Sequence, residues 1–410
     1  MKEIKKAKVE DYGYDGEGVT RGDGKVVFLP FALIGEEVEF ESADEKSSFI
    51  RGKVTKICKQ NPKRIEPPCQ YFGKCGGCSL QHACYDHELE IKKQLLKAQL
   101  RKTNFQGEIE VFASPKEFGY RNKIRSFVGR EGLSLKERAS SKLVPINKCL
   151  LVKDRINTVI ESVNTFIKTQ NLYKQYKEVV IREEGDKVLI NFVLTGPSKM
   201  NYKGLYLIIG NCCGIFETLN KKTVHKIGLK SLESVELGVK ATFSVNSFHQ
   251  VNPFLMEQLY KKVIENVEGK TVVNCYSGAG VLSGVLAKSC QNVVGIELGK
   301  SEHEDAEHLK SENRLNNLTN ICGDCGQVLA KNHFNADTIV VDPPRAGMSA
   351  DVCEAIDRLN VKRLIYVSCD SATMVRDLAR MKNYQLKKAF LFDMFAKTGE
   401  YESLCVLDRL

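Results

Sequence analysis

The feature that most constrains this chain is a set of four short apolar segments in its last third, rich in β-branched residues and spaced by helix-length stretches. VVNCYSG, NVVGIEL, TIVVDPP and LIYVSCD each read as a strand that can be buried on both faces. Such alternation predicts an α/β fold, a doubly wound parallel sheet of Rossmann type that binds ligands at the carboxyl ends of its strands. The rest of the chain is patterned differently. Residues 1–58 place strand-like runs (KVVFLP, EEVEFES, FIRGKVTKI) between glycine-rich turns, the texture of an OB-like β-barrel. Residues 59–68, with three prolines and four charges, read as a linker. An amphipathic helix is expected over 86–104, with Leu89, Leu96 and Leu100 in a helical repeat. Residues 107–240 mix strand and helix, including a hairpin in EVVIREEGDKVLINFVL. The expected organisation is a barrel over 1–58, a mixed α+β region over 59–240 and a Rossmann-like domain over 241–410, on which helix 86–104 can pack.

The chain of 410 residues opens MKEIKKAKVEDYGYDGEG, so no secretory leader is expected. Its longest uncharged stretch, 271–287, contains Asn, Tyr, two Ser and three Gly, a poor membrane span. A cytoplasmic location is expected. There, 15 cysteines read as metal ligands, nucleophiles or small buried hydrophobes rather than as a disulfide framework. The net charge of +10 is unevenly spread. Residues 61–150 carry 17 Lys and Arg against 9 Asp and Glu, and residues 151–240 carry 14 against 9. The ends are near neutral, which points to a polyanion contacted by the middle of the chain.

Four constellations carry chemistry. The first strand runs into Tyr276-Ser-Gly-Ala-Gly280, the second ends in Glu297, and Asp324 and Asp342 follow. Glycines there let backbone approach a cofactor, and an acid about 20 residues later suits a ribose diol. Ser283 stands where a dinucleotide fingerprint has its third glycine, which suits S-adenosylmethionine better. In YVSCDSATMVRDL, Cys369 lies between a strand and a helix, a place where a thiolate is stabilised. Cys69-x5-Cys75-Gly-Gly-Cys78 and the nearby Cys84 can hold zinc or an iron–sulfur cluster. His82 and His87 read as surface or capping residues, and Cys322-x2-Cys325 as incidental. Finally, Tyr120, Arg121, Lys123, Arg125, Phe127 and Arg130 interleave bases and aromatics as an RNA-binding strand would.

Taken together, C-x5-C-x2-C, GYRNKIRSF, SFHQVNP, the glycine turn, DPPRAG, SCDSAT and a C-terminal acidic motif occur in one order along the chain. In that order they resemble the RNA uracil-5-methyltransferase family, in its 23S ribosomal RNA branch, over essentially the whole sequence. The resemblance implies a TRAM-like barrel and methylation of uridine C5 through a covalent Cys–C6 adduct. It makes Cys369 the nucleophile and Glu402, in GEYESLCVL, the proton acceptor. It assigns S-adenosylmethionine contacts to Gln250, Tyr276, Glu297 and Asp342, with Asp342 facing the uracil as the alternative. It also makes Cys149, in NKCLL, the fourth ligand of a [4Fe–4S] cluster with Cys69, Cys75 and Cys78, leaving Cys84 a spectator. Departures are Asp370-Ser371 for Asn-Pro, Asn274 for an acid, Val281 for a polar residue, and Glu400-Tyr401 where the family has His-Val before its glutamate. Arg345 after Asp342-Pro-Pro speaks against amino-methylating enzymes, and Ser368 before the nucleophile against DNA cytosine-5 enzymes. The expected partner is 23S rRNA or its precursor, bound by a monomer, with no DNA or membrane partner. The competing expectations are a tRNA uracil-5-methyltransferase, a branch that typically lacks the barrel and cluster cysteines, and a non-catalytic RNA-binding ribosome-assembly factor. Retention of Cys369 with Glu402 argues against the last.

Overall fold

A computed structural model of the chain describes residues 3–410 apart from 23, 248 and 333. Its first unit is a six-stranded sheet formed by β1 (Ile4–Lys8), β2 (Asp11–Tyr12), β3 (Gly18–Gly22), β4 (Lys25–Leu29), β5 (Glu37–Glu45) and β6 (Phe49–Lys59). The strand order is β1-β5-β6-β4-β3-β2, with β4 and β6 parallel. The two ends of that order, β1 and β2, are halves of one bent strand. Between them Val9 N–H donates to Glu36 O and Glu10 N–H donates to Val19 O, so the chain crosses from one sheet edge to the other and closes it. The result is a five-stranded barrel of OB type, filled by Val9, Val27, Leu29, Val38, Phe40 and Ile50.

After the cysteine-rich segment comes α1 (Tyr85–Leu100), extended by a 3₁₀ turn over Arg101–Thr103 and ended by Asn104 in the left-handed region, φ 59°. Strand β7 (Ile109–Phe112) follows. Then β8 (Lys123–Gly129), β9 (Gly132–Lys136), β10 (Leu143–Pro145), α2 (Asp154–Thr169), β11 (Tyr176–Glu184), β12 (Lys187–Leu194), α3 (Lys203–Ile209), β13 (Cys213–Leu219) and β14 (Lys222–Gly228) build the middle of the molecule. Its seven-stranded sheet has the order β10-β9-β8-β11-β12-β13-β14, with α2 and α3 packed on it. A hairpin, β15 (Leu232–Glu236) and β16 (Val239–Phe243), leads into the last third.

There α4 (Pro253–Asn266), β17 (Thr271–Cys275), α5 (Val281–Ala287), β18 (Asn292–Glu297), α6 (Lys300–Glu312), β19 (Leu318–Cys322), α7 (Cys325–Lys331), β20 (Thr338–Val341), α8 (Ala350–Arg358), β21 (Arg363–Ser368), α9 (Ser371–Leu378), β22 (Tyr384–Phe392) and β23 (Glu402–Arg409) alternate as expected. The sheet order is β19-β18-β17-β20-β21-β23-β22-β7. One face is covered by α4, α5 and α6, the other by α1, α7, α8 and α9. Two features position the site. The order reverses between β17 and β20, opening a crevice at the carboxyl ends of the strands. And β23 runs antiparallel between β21 and β22, so its first residue, Glu402, enters at that same end. The eighth strand, β7, and helix α1 both come from far upstream, and Leu96, Leu100 and Ile109 share the core beneath α8 and α9. No helix among the described residues is long and apolar enough to cross a membrane.

Candidate active site

At the end of β17 the backbone turns sharply. Tyr276, Gly278 and Gly280 all have positive φ, at 60°, 55° and 80°. A Cβ at Gly280 would lie 2.8 Å from Ala306, so glycine lets α5 start against α6. The turn is pinned by Glu297 at the end of β18, whose Oε2 accepts from Gly278 N–H at 2.8 Å and whose Oε1 accepts from Gly299 N–H at 2.7 Å. Asp324 caps α7 by accepting from Gln327 N–H at 3.0 Å. Asp342 follows β20 at the order reversal, and burial pushes its carboxyl up to about 7. Tyr260 of α4 faces Asp342, and burial and that carboxylate raise its phenol. Gln250 is buried just before α4, and its carbonyl accepts from Asn122 Nδ2 at 3.3 Å. Phe248 of the same motif lies outside the described residues. Asn274, where the family carries an acid, donates to Ser283 Oγ at 2.9 Å and leaves its buried Oδ1 without a partner. Val281 is buried in the first turn of α5.

Cys369 follows the last residue of β21 and is half-buried. Asp370, not Cys369, caps α9: its Oδ1 accepts from Ala372 and Thr373 N–H at 3.0 and 2.9 Å. The expectation that the helix terminus would hold a thiolate here is not met. Burial, then the charge of Glu402, push the thiol up to about 12, while Arg345 pulls it down and Asp342 adds to the rise. The pairing of β21 with β23 sets Ser368 opposite Ser403, whose Oγ donates to Ser368 O at 3.0 Å. One step outward in that register Cys369 and Glu402 are neighbours. Glu402 is 3% exposed, its Oε1 has no partner among the described residues, and burial and Asp342 raise its carboxyl well above the usual range. A buried carboxylate oxygen with no partner beside a thiol is an arrangement suited to proton transfer.

Cys369 opens on a cavity of about 60 Å³ lined also by Tyr14, Asp15, Arg345, Ser371, Gly399, Glu400 and Tyr401. The barrel therefore reaches the thiol. Tyr14 Oη donates to Asp370 Oδ2 at 2.6 Å, and a Cβ on Gly399 would lie 2.2 Å from Asp15 O. This cavity shares Asp15, Arg345, Gly399 and Glu400 with a cleft of about 580 Å³ lined by Arg121, Arg125, Lys136 and Arg138. Arg345 pairs with Glu400 at 2.5 Å. Of the expected RNA-contacting residues, Arg121 and Arg125 line the cleft, the latter paired with Glu178 at 2.6 Å. Burial, with Arg182 beside it, lowers Lys123 to about 8. Phe127 lies under Lys136 Nζ at 4.7 Å and Arg130 over the Tyr173 ring at 5.9 Å; neither lines the cleft. Tyr120 is a correction: it is 0% exposed, its hydroxyl donates to Ala396 O at 3.0 Å, and it offers no face to a base. Tyr14, Asp15, Lys136 and Arg138 were not singled out by sequence, since nothing local marks them as facing a thiol so far along the chain.

Cys69, Cys75, Cys78 and Cys149 together line one small cavity of about 40 Å³, walled by Tyr71, Leu135, Ile146 and Leu151. Cys84 is not among them and instead stands at the N-cap position of α1, where its side chain makes no capping hydrogen bond. Gly77 N–H donates to Cys75 Sγ at 3.4 Å, and the amides of Leu151 and Val152 point at Cys149. Burial raises Cys75 and Cys149 and pushes Cys78 up to about 12. Among the described residues no three His, Cys, Asp or Glu side chains converge closely enough for a single metal ion. His82 is another correction. It is 1% exposed, set edge-on to Phe31, and burial lowers it to about 3; it is neither a surface nor a capping residue.

The family described as tRNA (Uracil-5-)-methyltransferase matches residues 326–410, the stretch that carries Asp342, Cys369 and Glu402. Across 98% of this chain and 100% of its own, the Pyrococcus abyssi tRNA (uracil-54, C5)-methyltransferase, solved with S-adenosyl-L-homocysteine, has the same fold, with a TM-score of 0.81 and 26% identity. An RNA methyltransferase of Staphylococcus aureus (strain N315) is 29% identical over 99% of this chain and 98% of its own. The 23S rRNA (uracil(1939)-C(5))-methyltransferase RlmD of Francisella tularensis subsp. novicida (strain U112) is 30% identical over 99% of this chain and 97% of its own. With a full-length relative of this kind, and the thiol, the carboxylates and the glycine turn brought to one end of one sheet, the chain belongs to the RNA (uracil-5-)-methyltransferase family.

Proposed function

We propose that this enzyme uses S-adenosylmethionine to methylate C5 of a uridine in 23S rRNA. The observation that carries the reading is Cys369 and Glu402 set next to the paired Ser368 and Ser403, at the mouth of a basic cleft and at the sheet end that also carries the glycine turn. Uracil C5 is a poor nucleophile towards a sulfonium. Addition of the Cys369 thiolate to C6 makes C5 an enolate carbon, and a C5–CH₃ bond forms as the sulfonium's C–S bond breaks. Glu402 then takes the C5 proton, the C5–C6 double bond re-forms, and the thiolate leaves. The burial that raises Cys369, Glu402 and Asp342 is opposed by a bound sulfonium cation, which favours all three anions. Tyr276, Glu297, Gln250 and Asp342 are the residues we assign to the cofactor. The cleft residues Arg121 and Arg125 are assigned to phosphates, with Lys136 and Arg138 added, and the barrel acts as a TRAM-like RNA-binding module. The target base must leave any stack to reach a cavity this enclosed.

Four thiols lining one small, otherwise mostly apolar cavity, with the Gly77 amide donating to one of them, are a donor set suited to an iron–sulfur cluster. Cys69, Cys75, Cys78 and Cys149 would hold it, and such a centre supplies the cationic charge that buried thiolates need. Protein purified without oxygen is expected to carry about four irons per chain. Cys149→Ser should lose them and Cys84→Ser should not; stoichiometric zinc without iron would overturn the assignment.

A tRNA substrate is the second reading. The archaeal tRNA enzyme spans this chain from end to end, so possession of the N-terminal residues does not by itself separate the two substrates. Incubating the protein with labelled S-adenosylmethionine and either 23S rRNA or total tRNA, then mapping 5-methyluridine by mass spectrometry, decides between them. Label in 23S rRNA is expected. Label confined to tRNA would replace the first reading by the second.

A further inference from the structure

Where β8 and β11 pair, three basic side chains meet, and among the described residues no acid is hydrogen-bonded to them. Arg182 of β11 and Lys123 of β8 are direct cross-strand partners, a like-charge pairing that sheets avoid. Arg182 is 3% exposed, and its Nε, Nη1 and Nη2 all lack a hydrogen-bond partner among the described residues. His249 joins the group: the charges of Arg182 and Lys123 both act on it, and its buried Nε2 has no partner. Glu236 Oε1 stands 3.9 Å from that nitrogen, beyond hydrogen-bond distance. Glu184 and Asp305 influence Arg182 only through space, and Asp305 is engaged by Ser247. A guanidinium removed from water and left without acceptors is strongly unfavourable. Elsewhere the chain pairs its buried cations, as it does Lys92 with Glu88 and Asp393. The group also abuts the cofactor segment, because His249 precedes Gln250 and Asn122, beside Lys123, donates to the Gln250 carbonyl.

We propose that Arg182, with Lys123 and His249, forms an oxyanion subsite whose occupant comes from the ligands of the reaction. It rests on the methyltransferase reading above. Two sources share the chemistry: the α-carboxylate of the cofactor and a phosphodiester oxygen of the RNA. Both offer an oxygen pair that a guanidinium fork can clasp.

The test compares the full-length protein with its Arg182→Met and Arg182→Lys variants. Each is titrated with S-adenosylhomocysteine, with 5′-methylthioadenosine, which lacks the carboxylate, and with 23S rRNA over a salt series. Arg182→Met should lose affinity for one anionic ligand by on the order of ten- to a hundredfold, and Arg182→Lys by less. Its melting temperature without ligand should equal or exceed wild type, because an apolar side chain replaces an unpaired charge. A loss for S-adenosylhomocysteine but not for 5′-methylthioadenosine identifies the cofactor carboxylate. A loss for RNA, with a log–log salt slope shallower by about 0.7 to 0.9, identifies a phosphate. Affinities for all three ligands within twofold of wild type would overturn the subsite. A wild-type protein that binds neither S-adenosylhomocysteine nor RNA would overturn the function reading instead.

Discussion

Two groups of buried charge in this molecule are built on opposite terms. Under α1, Lys92 Nζ donates to Glu88 Oε1 at 2.8 Å, Asp393 Oδ1 at 2.5 Å and the Phe395 carbonyl at 3.2 Å. Lys397 faces Glu88 at 3.3 Å and Glu117 at 2.6 Å. The two carboxylates outweigh burial and hold Lys92 above its ordinary range. At the ends of β20, β21 and β23 the opposite holds: Glu402 keeps an oxygen without a partner, and Asp342 and Cys369 are raised with it. The first group finds its counter-charges within the chain and fastens α1 to the loop running from Asp393 to Glu402. The second leaves its demands open at the place we assign to the sulfonium and the uridine. The first group is closed by ion pairs, although Glu88 Oε2 and Lys397 Nζ make no hydrogen bond, whereas Glu402 has neither an ion pair nor a partner for Oε1 among the described residues.

The sharpest way to break that contrast is to remove one member of each group. Glu402→Gln should lower turnover by roughly 10²–10⁴-fold, the usual contribution of a positioned base. It should also leave methylated RNA attached, because addition and methyl transfer need no base at C5 but elimination does. The same change should stabilise the ligand-free fold. A carboxyl raised by folding keeps its stability below the unfolded value near 4.3 and loses it as pH rises through the folded value. The advantage of the variant over wild type in chemical denaturation should therefore widen from pH 5 to pH 8, while Asp342, which both proteins carry, cancels from the comparison. An advantage that narrows over that range would contradict the assignment.

Lys92→Met should do the reverse, costing about 3–5 kcal/mol of stability because it removes the charge shared by Glu88 and Asp393, leaving Glu88 with Lys397 and, among the described residues, Asp393 with only the Tyr85 hydroxyl. Urea unfolding measures it. A loss below about 1 kcal/mol would mean that the network is not what fastens α1.

The smallest effect is expected on the cleft. Neutralising Arg121, Lys123 and Arg125 together should weaken RNA binding and make its salt dependence shallower, with S-adenosylhomocysteine affinity changing less. Because Lys123 is partly neutral near pH 8 and Arg125 already pairs with Glu178, the change in slope should correspond to fewer than three phosphates. A slope unchanged from wild type would make this strand a solvated face.

How much of this could be read from the sequence depends on how local the signal was. The buried strands, the glycine turn with Glu297 and the strand–cysteine–helix junction lie in short windows, and the sheet follows from them. The position of β23 between β21 and β22 does not, because an antiparallel strand inserted late carries the same apolar pattern as one added at the edge. Tyr14 meets Asp370 across 356 residues of chain, and no window contains both. Tyr120 was legible and was misread. Along GYRNKIRSF the strand period puts Arg121, Lys123, Arg125 and Phe127 on one face, and Tyr120, Asn122, Ile124 and Ser126 on the other, which is the buried one. Arg182 was hidden for a different reason. An arginine in a strand reads as solvent-facing, and only the packed structure shows that it has no acceptor.

The account stands on Cys369 as the atom that joins the RNA. Substrate RNA carrying 5-fluorouridine is the direct measurement, since fluorine at C5 cannot leave as a proton and the adduct cannot collapse. Wild type with S-adenosylmethionine should give a denaturation-resistant protein–RNA species whose peptide map places the link at Cys369, and Cys369→Ala should give neither that species nor methylation. A Cys369→Ala enzyme that still methylates ordinary RNA, or a link mapped to another residue, would contradict the mechanism.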